Sequence, residues 1–268
     1  MIDRGKQNLL GVLIDAVDYE AAVTKILDAA KARRSFTVSA LAVHGVMTGV
    51  LDPTHGARLN HLDLVTPDGQ PVRWALNLLY GVQLPDRVYG PTLTLKVCER
   101  AAQEGLSIYL YGSKQTVLDA LIHNLTERIP GLQIAGAQPS RFRPVTPAEQ
   151  AEIVRTIQES GAAITLVGLG CPRQEVWVYE HRHRLNMPML AVGAAFDFHA
   201  GTLSQAPPQL QRLGLEWFYR LINEPQRLWR RYLLLNPHYL WLLGQQWLRL
   251  REFPILSTEP PAQELRYG

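Results

Sequence analysis

Residues 96–136 read KVCERAAQEGLSIYLYGSKQTVLDALIHNLTERIPGLQIAG, and this stretch holds the repeating unit of the fold. An amphipathic segment stops at Gly105 and the apolar run 106–111 follows. Gly112 and Ser113 then lead into a second amphipathic segment, 114–128, which Gly131 closes before the run 132–136. Glycine suits the left-handed residue that ends a helix, and serine is a common N-cap, so the punctuation reads helix, strand, helix, strand. The runs are short, and several of the expected strands are continuous in hydrophobicity rather than alternating, which means burial on both faces of a sheet.

The same grammar extends in both directions. Strands are expected at 36–42, 64–66, 164–168 and 189–192, and helices at 19–32, 71–79, 91–103, 147–159, 172–184 and 208–221. Gly161 supplies a third helix stop, while Pro147 after Thr146 and Pro71 after Asp68 and Gly69 supply helix starts. Strands alternating with helices predict an α/β protein with a Rossmann-like, largely parallel sheet covered by helices.

The chain divides by composition. Residues 1–206 carry the βα pattern and form the expected catalytic core. Residues 207–253 hold seven arginines against three glutamates, no lysine, and four of the six tryptophans, with apolar residues and arginine at near-helical spacing. This part is expected to be a helical, membrane-proximal appendage broken near Asn236 and Pro237. Residues 254–268 are polar and proline-rich, and are expected to be disordered.

With 268 residues, 47% hydrophobic and 19% charged, the chain has enough apolar side chain for a large interior and needs no disulfide or metal to hold a small one. Cys98 and Cys171 are too far apart in sequence for a CxxC pair. The N-terminal MIDRGKQNLLGVLID lacks the apolar stretch of a secretion signal, and no run is long enough to span a bilayer. Arginine suits phosphate and tryptophan suits the headgroup boundary of a membrane. The rest of the chain is near neutral, without the broad basic surface of a duplex binder, so nucleic acid is not an expected partner.

In such a sheet, ligands gather at the carboxyl ends of the strands. The first strand carries Thr37, Ser39 and His44, which serve either as sugar or phosphate contacts or as ordinary strand residues. Asp68, in TPDG at 66–69, is placed either for proton transfer or to cap the helix that follows. Gly112 leaves backbone N–H groups for an anion or simply makes a tight turn. Gly168, Gly170, Arg173, Gln174 and Glu175, within VGLGCPRQE at 167–175, form either a binding loop or a well-made βα turn. The cations are Arg87 in the loop DRVYGP and the appendage arginines, of which Arg220, Arg227 and Arg230 or Arg231 are close enough along a helix either to converge on one patch or simply to be solvated at the surface. There is no HExxH, no Cys/His cluster and no GxSxG, so no metal site, cofactor or serine nucleophile is expected.

Taken in order, the blocks TPDG followed by VRWA, RVYGP, YLYG, VGLGCPRQE, GAAFDFHAG and APPQLQRLGLEWFYRLINEPQRLWRRY strongly resemble the WecG/TagA/CpsF glycosyltransferase family, over residues 12 to about 239. The resemblance implies an inverting, metal-independent hexosyltransferase of bacterial surface polysaccharide or exopolysaccharide synthesis. It would move N-acetylmannosamine, its uronate or a hexose such as glucose from a UDP-sugar to a polyprenyl-diphosphate-linked saccharide, peripherally at the cytoplasmic face of the inner membrane. By motif position it implies Asp68 as base, with Thr37 and Arg87 in the pocket. Ser39, Gly112, Gly168, Gly170, Gln174 and Glu175 would hold the nucleotide, and Arg220, Arg227 and Arg230 would reach the diphosphate. Family members usually carry asparagine soon after the pocket threonine, whereas this chain reads TVSA at 37–40, which points to a different sugar.

A homo-oligomer is compatible with the same tail composition. The competing reading is a non-catalytic protein on the same fold that binds a nucleotide sugar or nucleic acid. A dinucleotide-dependent oxidoreductase is disfavoured, since no GxGxxG follows an early strand.

Overall fold

The computed structural model describes residues 1–256, 259, 261 and 263–268, the side chains at 208, 212, 227, 230 and 231 excepted. The chain opens with a hairpin, β1 (Asp3–Leu9) and β2 (Val12–Val17), followed by α1 (Tyr19–Lys31). Next come β3 (Phe36–Leu41), α2 (Val43–Leu51), α3 (Pro53–Asn60), β4 (Leu64–Pro67), α4 (Gln70–Tyr80) and α5 (Gly90–Gln103). The second half of the core runs β5 (Ser107–Gly112), α6 (Gln115–Arg128), β6 (Gln133–Gln138), α7 (Pro147–Glu159), β7 (Ile164–Gly168), α8 (Arg173–His181), β8 (Pro188–Ala191) and α9 (Ala195–His199). The appendage holds α10 (Pro208–Arg212), α11 (Glu216–Asn223), α12 (Pro225–Arg230), a π-helical stretch Arg231–Leu235, and α13 (Asn236–Trp247).

Six strands pair in parallel in the order β4-β3-β8-β7-β5-β6, with apolar clusters on both faces. This is the α/β, Rossmann-like architecture that the continuous apolar runs predict. All six predicted strands form. Thr146 makes a full capping box with Glu149 at the start of α7, and Gly105, Gly131 and Gly161 each take a positive φ after a helix.

The hairpin, α2, α3 and α9 were not foreseen. Leu10 and Gly11 form its two-residue turn with φ values of 56° and 90°, a geometry that leucine does not advertise. Tertiary contacts hold it there: Gln246 of α13 accepts from Leu10 N at 3.0 Å and donates to Asn8 O at 2.9 Å. In α2, Gly45 and Gly49 lower helix propensity, and an apolar sequence buried against the sheet and α3 lacks a polar face to reveal its period.

Three further details correct the sequence reading. Ser113 does not cap α6; its φ is 58°, its N–H donates to Gly168 O, and Lys114 occupies the N-cap position. The helix expected over 208–221 is interrupted at Gly214, φ 71°, where Leu215 N reaches back to Leu210 O and α10 gives way to α11. Finally, the described residues of 254–268 are ordered against the core. Leu256 N donates to Gly11 O, Asn60 donates to Leu256 O, Glu180 accepts from Arg266 N at 3.0 Å, and Ser140 Oγ donates to Gly268 O at 2.6 Å. Composition signals disorder there because it cannot show that distant side chains supply these partners. The expected break near Asn236 and Pro237 becomes the passage from π-helical to α-helical winding, with Pro237 in the first turn of α13, where its missing N–H costs nothing.

Gly112 binds the top of the sheet together. Its φ is 112°, and a Cβ there would stand 2.7 Å from the Gly168 carbonyl on the neighbouring strand. We expect Gly112→Ala to cost about 2 kcal/mol or more of stability, read as a lower denaturant midpoint. An unchanged midpoint would show that the two strand ends have room to part.

Candidate functional site

Parallel strands deliver their carboxyl ends to one edge of the sheet, and the helices that start there point their N–H groups into the space above it. Helices α2, α4, α5, α6 and α8, which start at this edge, receive no side-chain cap, whereas α1, α3 and α7 are capped by Asp18, Asp52 and Thr146. Some first-turn donors of the uncapped helices are met within the protein, Gly90 N by the Asp68 carboxyl and Gln174 N by Gly170 O, and the dipoles of such helix starts favour an anion. An open cleft of about 720 Å³ lies here, lined by Gly168 and Gly170 and by Lys114, Arg173 and Arg220, with Glu175, Asp197 and Glu224 also on its wall.

Asp68 follows directly on β4. It does not cap α4, whose N-cap is Gly69 without a side-chain bond. Instead its Oδ1 accepts from Gly90 N, in the first turn of α5, at 2.6 Å. Gly90 permits this approach: a Cβ on it would stand 3.3 Å from Ala40 Cβ and 3.5 Å from the Asp68 oxygen. Burial pushes the Asp68 carboxyl up to about 6, opposed by Arg87, the Gly90 N–H and Arg220, and reinforced by Glu216. A carboxylate tuned to that range suits proton transfer near neutrality.

Arg87 is buried and already engaged. Its Nη2 donates to Glu216 Oε2 at 2.6 Å and to Gln211 Oε1 at 3.2 Å, and its guanidinium lies 4.1 Å from the centre of the Tyr89 ring. Tyr89 in turn donates its hydroxyl to Glu216 Oε1 at 2.9 Å; burial and Glu216 hold that hydroxyl well above the usual phenol range. Glu216 is the buried residue of α11, whereas Phe218 and Ile222 of the same helix are 49% and 63% exposed. The appendage thus docks here through charge and turns its apolar side outward.

The Gln-Glu pair of the β7–α8 loop acts on the shape of that loop. Gln174 Oε1 accepts from Gly170 N at 3.1 Å and its Nε2 donates to Glu175 Oε1 at 2.9 Å, which also accepts from Ser39 Oγ at 3.2 Å. All three side chains are buried, and burial raises the Glu175 carboxyl. Gly170, φ 78°, has open space where its Cβ would be, so it can lie close to a ligand. Gly168 faces the Phe196 ring, and Gly112 supports Gly168 from the next strand rather than reaching the cleft wall.

Thr37 requires correction. It sits near the start of β3, fully buried, and exchanges hydrogen bonds with Asp63, its hydroxyl donating to Oδ2 at 2.8 Å and accepting from Asp63 N at 3.0 Å. A strand advances about 3.3 Å per residue, which leaves Thr37 roughly 13 Å below the carboxyl end at Leu41. The residues of this strand and its end that line the cleft are Ala40, Leu41 and Ala42, so the departure read at TVSA concerns a stretch whose Ser39 lies beneath the Gln174–Glu175 pair. Arg220 borders the cleft and the cavity beside α11, with its guanidinium 5.7 Å from the Phe198 ring. Arg227 and Arg230 fall in α12, and their side chains lie outside the described residues. Among the described residues no three His, Cys, Asp or Glu side chains group as metal ligands.

Glu216 and Tyr89, the partners of Arg87, are absent from the sequence-based candidates, because nothing local marks an acid on α11 as the partner of an arginine 129 residues away.

The comparisons agree with this geometry. The model of the glycosyl transferase WecG/TagA/CpsF family matches residues 7–253. An N-acetylglucosaminyldiphosphoundecaprenol N-acetyl-beta-D-mannosaminyltransferase of Bacillus spizizenii is 30% identical over 190 residues, covering 70% of this chain and 71% of the relative. A protein of the same description from Bacillus subtilis is 28% identical over 189 residues, with 70% and 71% covered. A match over nearly the whole chain, laid on a parallel sheet with an acid and uncapped helices at its carboxyl edge, places this protein in the WecG/TagA/CpsF family of glycosyltransferases.

Proposed function

We propose that this glycosyltransferase moves N-acetylmannosamine, or a closely related hexose, from a UDP-sugar to an N-acetylglucosamine carried on a polyprenyl diphosphate, with inversion at the anomeric carbon. The relatives' descriptions supply the sugar and the acceptor. The observation that carries the reading is Asp68, a carboxyl held by Gly90 N at a cleft onto which helix starts without side-chain caps open.

The chemistry balances with the residues present. The acceptor hydroxyl oxygen forms a bond to the anomeric carbon, Asp68 takes the hydroxyl proton, and the bond from that carbon to the phosphate oxygen breaks with its electron pair leaving on UDP. Developing charge on the diphosphate meets Arg220, Lys114, Arg173 and the first-turn N–H groups of α6 and α8. Arg87, paired with Glu216, shapes the pocket and steadies Asp68 electrostatically rather than clamping phosphate.

The appendage gives the lipid a surface. Leu233, Leu234, Leu240, Trp241 and Trp247 are all more than half exposed, next to a sequence rich in arginine, and this composition suits a helix lying in a headgroup layer. No helix among the described residues is long and apolar enough to cross a membrane. Peripheral attachment to the cytoplasmic face of the inner membrane, where both substrates meet, completes the reading.

Three measurements test it. With circular dichroism confirming the fold, Asp68→Asn is expected to lower turnover by about 100-fold or more, and near-normal transfer would remove Asp68 as base. Because the reactive form is the carboxylate, turnover of the unaltered protein should be lost as pH falls through about 6; a profile flat down to pH 4.5 would contradict the role. Paired substitution Leu240→Glu with Trp241→Glu should abolish flotation on anionic vesicles while turnover on a short-chain, soluble acceptor stays within about twofold. Retained flotation with loss of a dimer in sedimentation would assign that face to a second copy of the chain.

A further inference from the structure

The loop between β6 and α7 contributes Phe142 to the wall of the open cleft. Phe142 has a φ of 55°, a conformation that a bulky side chain adopts only where its surroundings impose it. Its N–H donates to Ser140 Oγ at 2.9 Å, and that hydroxyl donates to Gly268 O at 2.6 Å. The Ser140 backbone is tied the other way: its N–H donates to Ser113 O at 3.0 Å, and the Ser113 N–H donates to Gly168 O at 2.9 Å. One chain of hydrogen bonds thus runs from residue 268 to Gly168, and Ser113, Phe142 and Gly168 all line the cleft. We infer that residues 263–268 are a strap that sets the shape of the nucleotide cleft, with Ser140 as the positioning residue through which it acts. The inference rests on the transferase reading above and extends it to a segment beyond the residues that the family model matches.

The strap is held at both ends. Gln263 O accepts from Arg58 Nη2 at 3.4 Å, and Glu264 pairs with Arg184 at 2.7 Å. The N–H groups of Leu265 and Arg266 both donate to the Glu180 carboxyl, at 2.5 and 3.0 Å. Arg58 and Glu180 are buried, so these anchors are charge-assisted bonds in poorly solvated surroundings. Beyond them the chain adds a short antiparallel edge to the loop. Val145 N–H donates to Arg266 O at 2.7 Å, Gly268 N–H donates to Arg143 O at 3.2 Å, and Tyr267 pairs with Pro144. A Cβ on Gly268 would collide with Val145 Cγ1, so the close fit of the strap on the loop needs glycine there.

The loop's own side-chain ties are weaker. Arg141 and Arg143 reach Glu149 at 2.6 and 2.7 Å, but the Arg143 side chain is half exposed, and ion pairs in water fix position poorly. The Ser140 hydroxyl is different, because its single proton is committed to Gly268 O and its lone pair is thereby aimed at the Phe142 N–H. Loss of the strap removes the acceptor that orients this hydroxyl, and the strained Phe142 backbone is then free to relax away from the cleft. Coupling of this kind is reciprocal: a strap whose docking favours nucleotide must dock more firmly when nucleotide is bound.

The test compares the full chain with Ser140→Ala and with a deletion of residues 263–268, using UDP as the probe in calorimetry and varying each substrate in turn in steady-state transfer. Both variants are expected to raise the UDP Kd and the donor KM about fivefold or more, while the acceptor KM and the kcat at saturating donor stay within about twofold. In the unaltered protein, saturating UDP should slow hydrogen exchange at the amides of Leu265, Arg266 and Gly268 by about fivefold or more as well. A strap that only stabilises the fold would lower the thermal midpoint of the variants and leave the UDP Kd and the exchange response unmoved, and that result overturns the inference. A shift confined to the acceptor KM overturns it too. Should the deletion fail to fold, Ser140→Ala and the exchange of the unaltered chain still decide the point. If the unaltered protein neither binds UDP nor transfers a sugar, the transferase reading itself falls, and the strap's role with it.

Discussion

The buried pairing of Arg87 with Glu216, sealed by the Tyr89 hydroxyl, is the constraint on which the rest of the site depends. It is the point where the appendage meets the core beside Asp68. A buried ion pair adds little net stability, because desolvation of two charges offsets most of their attraction, but a wrong docking that left either charge alone would be severely penalised. The interaction therefore specifies position. With α11 held by charge, the helix is free to keep Phe218 and Ile222 on its outer side, and Glu216, Trp217 and Arg220 close a cavity beside Asp68.

Electrostatics then distribute tasks along the sheet edge. Arg87 is neutralised by Glu216 and so lowers the Asp68 carboxyl less than a free guanidinium would, while burial and Glu216 itself raise it. A few residues away, uncapped helices and the open Gly170 leave positive potential for an anion. Asp68 lines both the open cleft and the cavity beside α11. Capping those helices internally would have stabilised the fold at the expense of the site, in keeping with the rule that functional edges forgo local satisfaction.

Much of this was legible in the residues. The positions of all six sheet strands followed from short apolar runs, several of them bounded by glycine, and Thr146, Gly105, Gly131 and Gly161 punctuate the structure as their chemistry requires. Asp68 and the VGLGCPRQE loop were found because a strand end followed by a helix start is a local pattern. Thr37 misled for the same reason: a hydroxyl on a strand has no label for which end of the strand is the working one, and here it answers Asp63. Ser39 was read as part of the first strand's own corner and Gln174 and Glu175 as part of the loop, whereas their hydrogen bonds run to one another and to Gly170 N.

By itself, then, the order of residues determined the layers, the direction of the strands and the acid at the edge, since these depend on burial periodicity and turn chemistry within a dozen neighbours. Only the tertiary structure decided that Arg87 serves Glu216, that Gln70 keeps an unanswered oxygen inside a cavity, and that the proline-rich end binds Glu180 and Ser140. Those relations join side chains separated by tens to hundreds of positions. Their energies depend on desolvation and on angles that exist only once the chain has closed on itself.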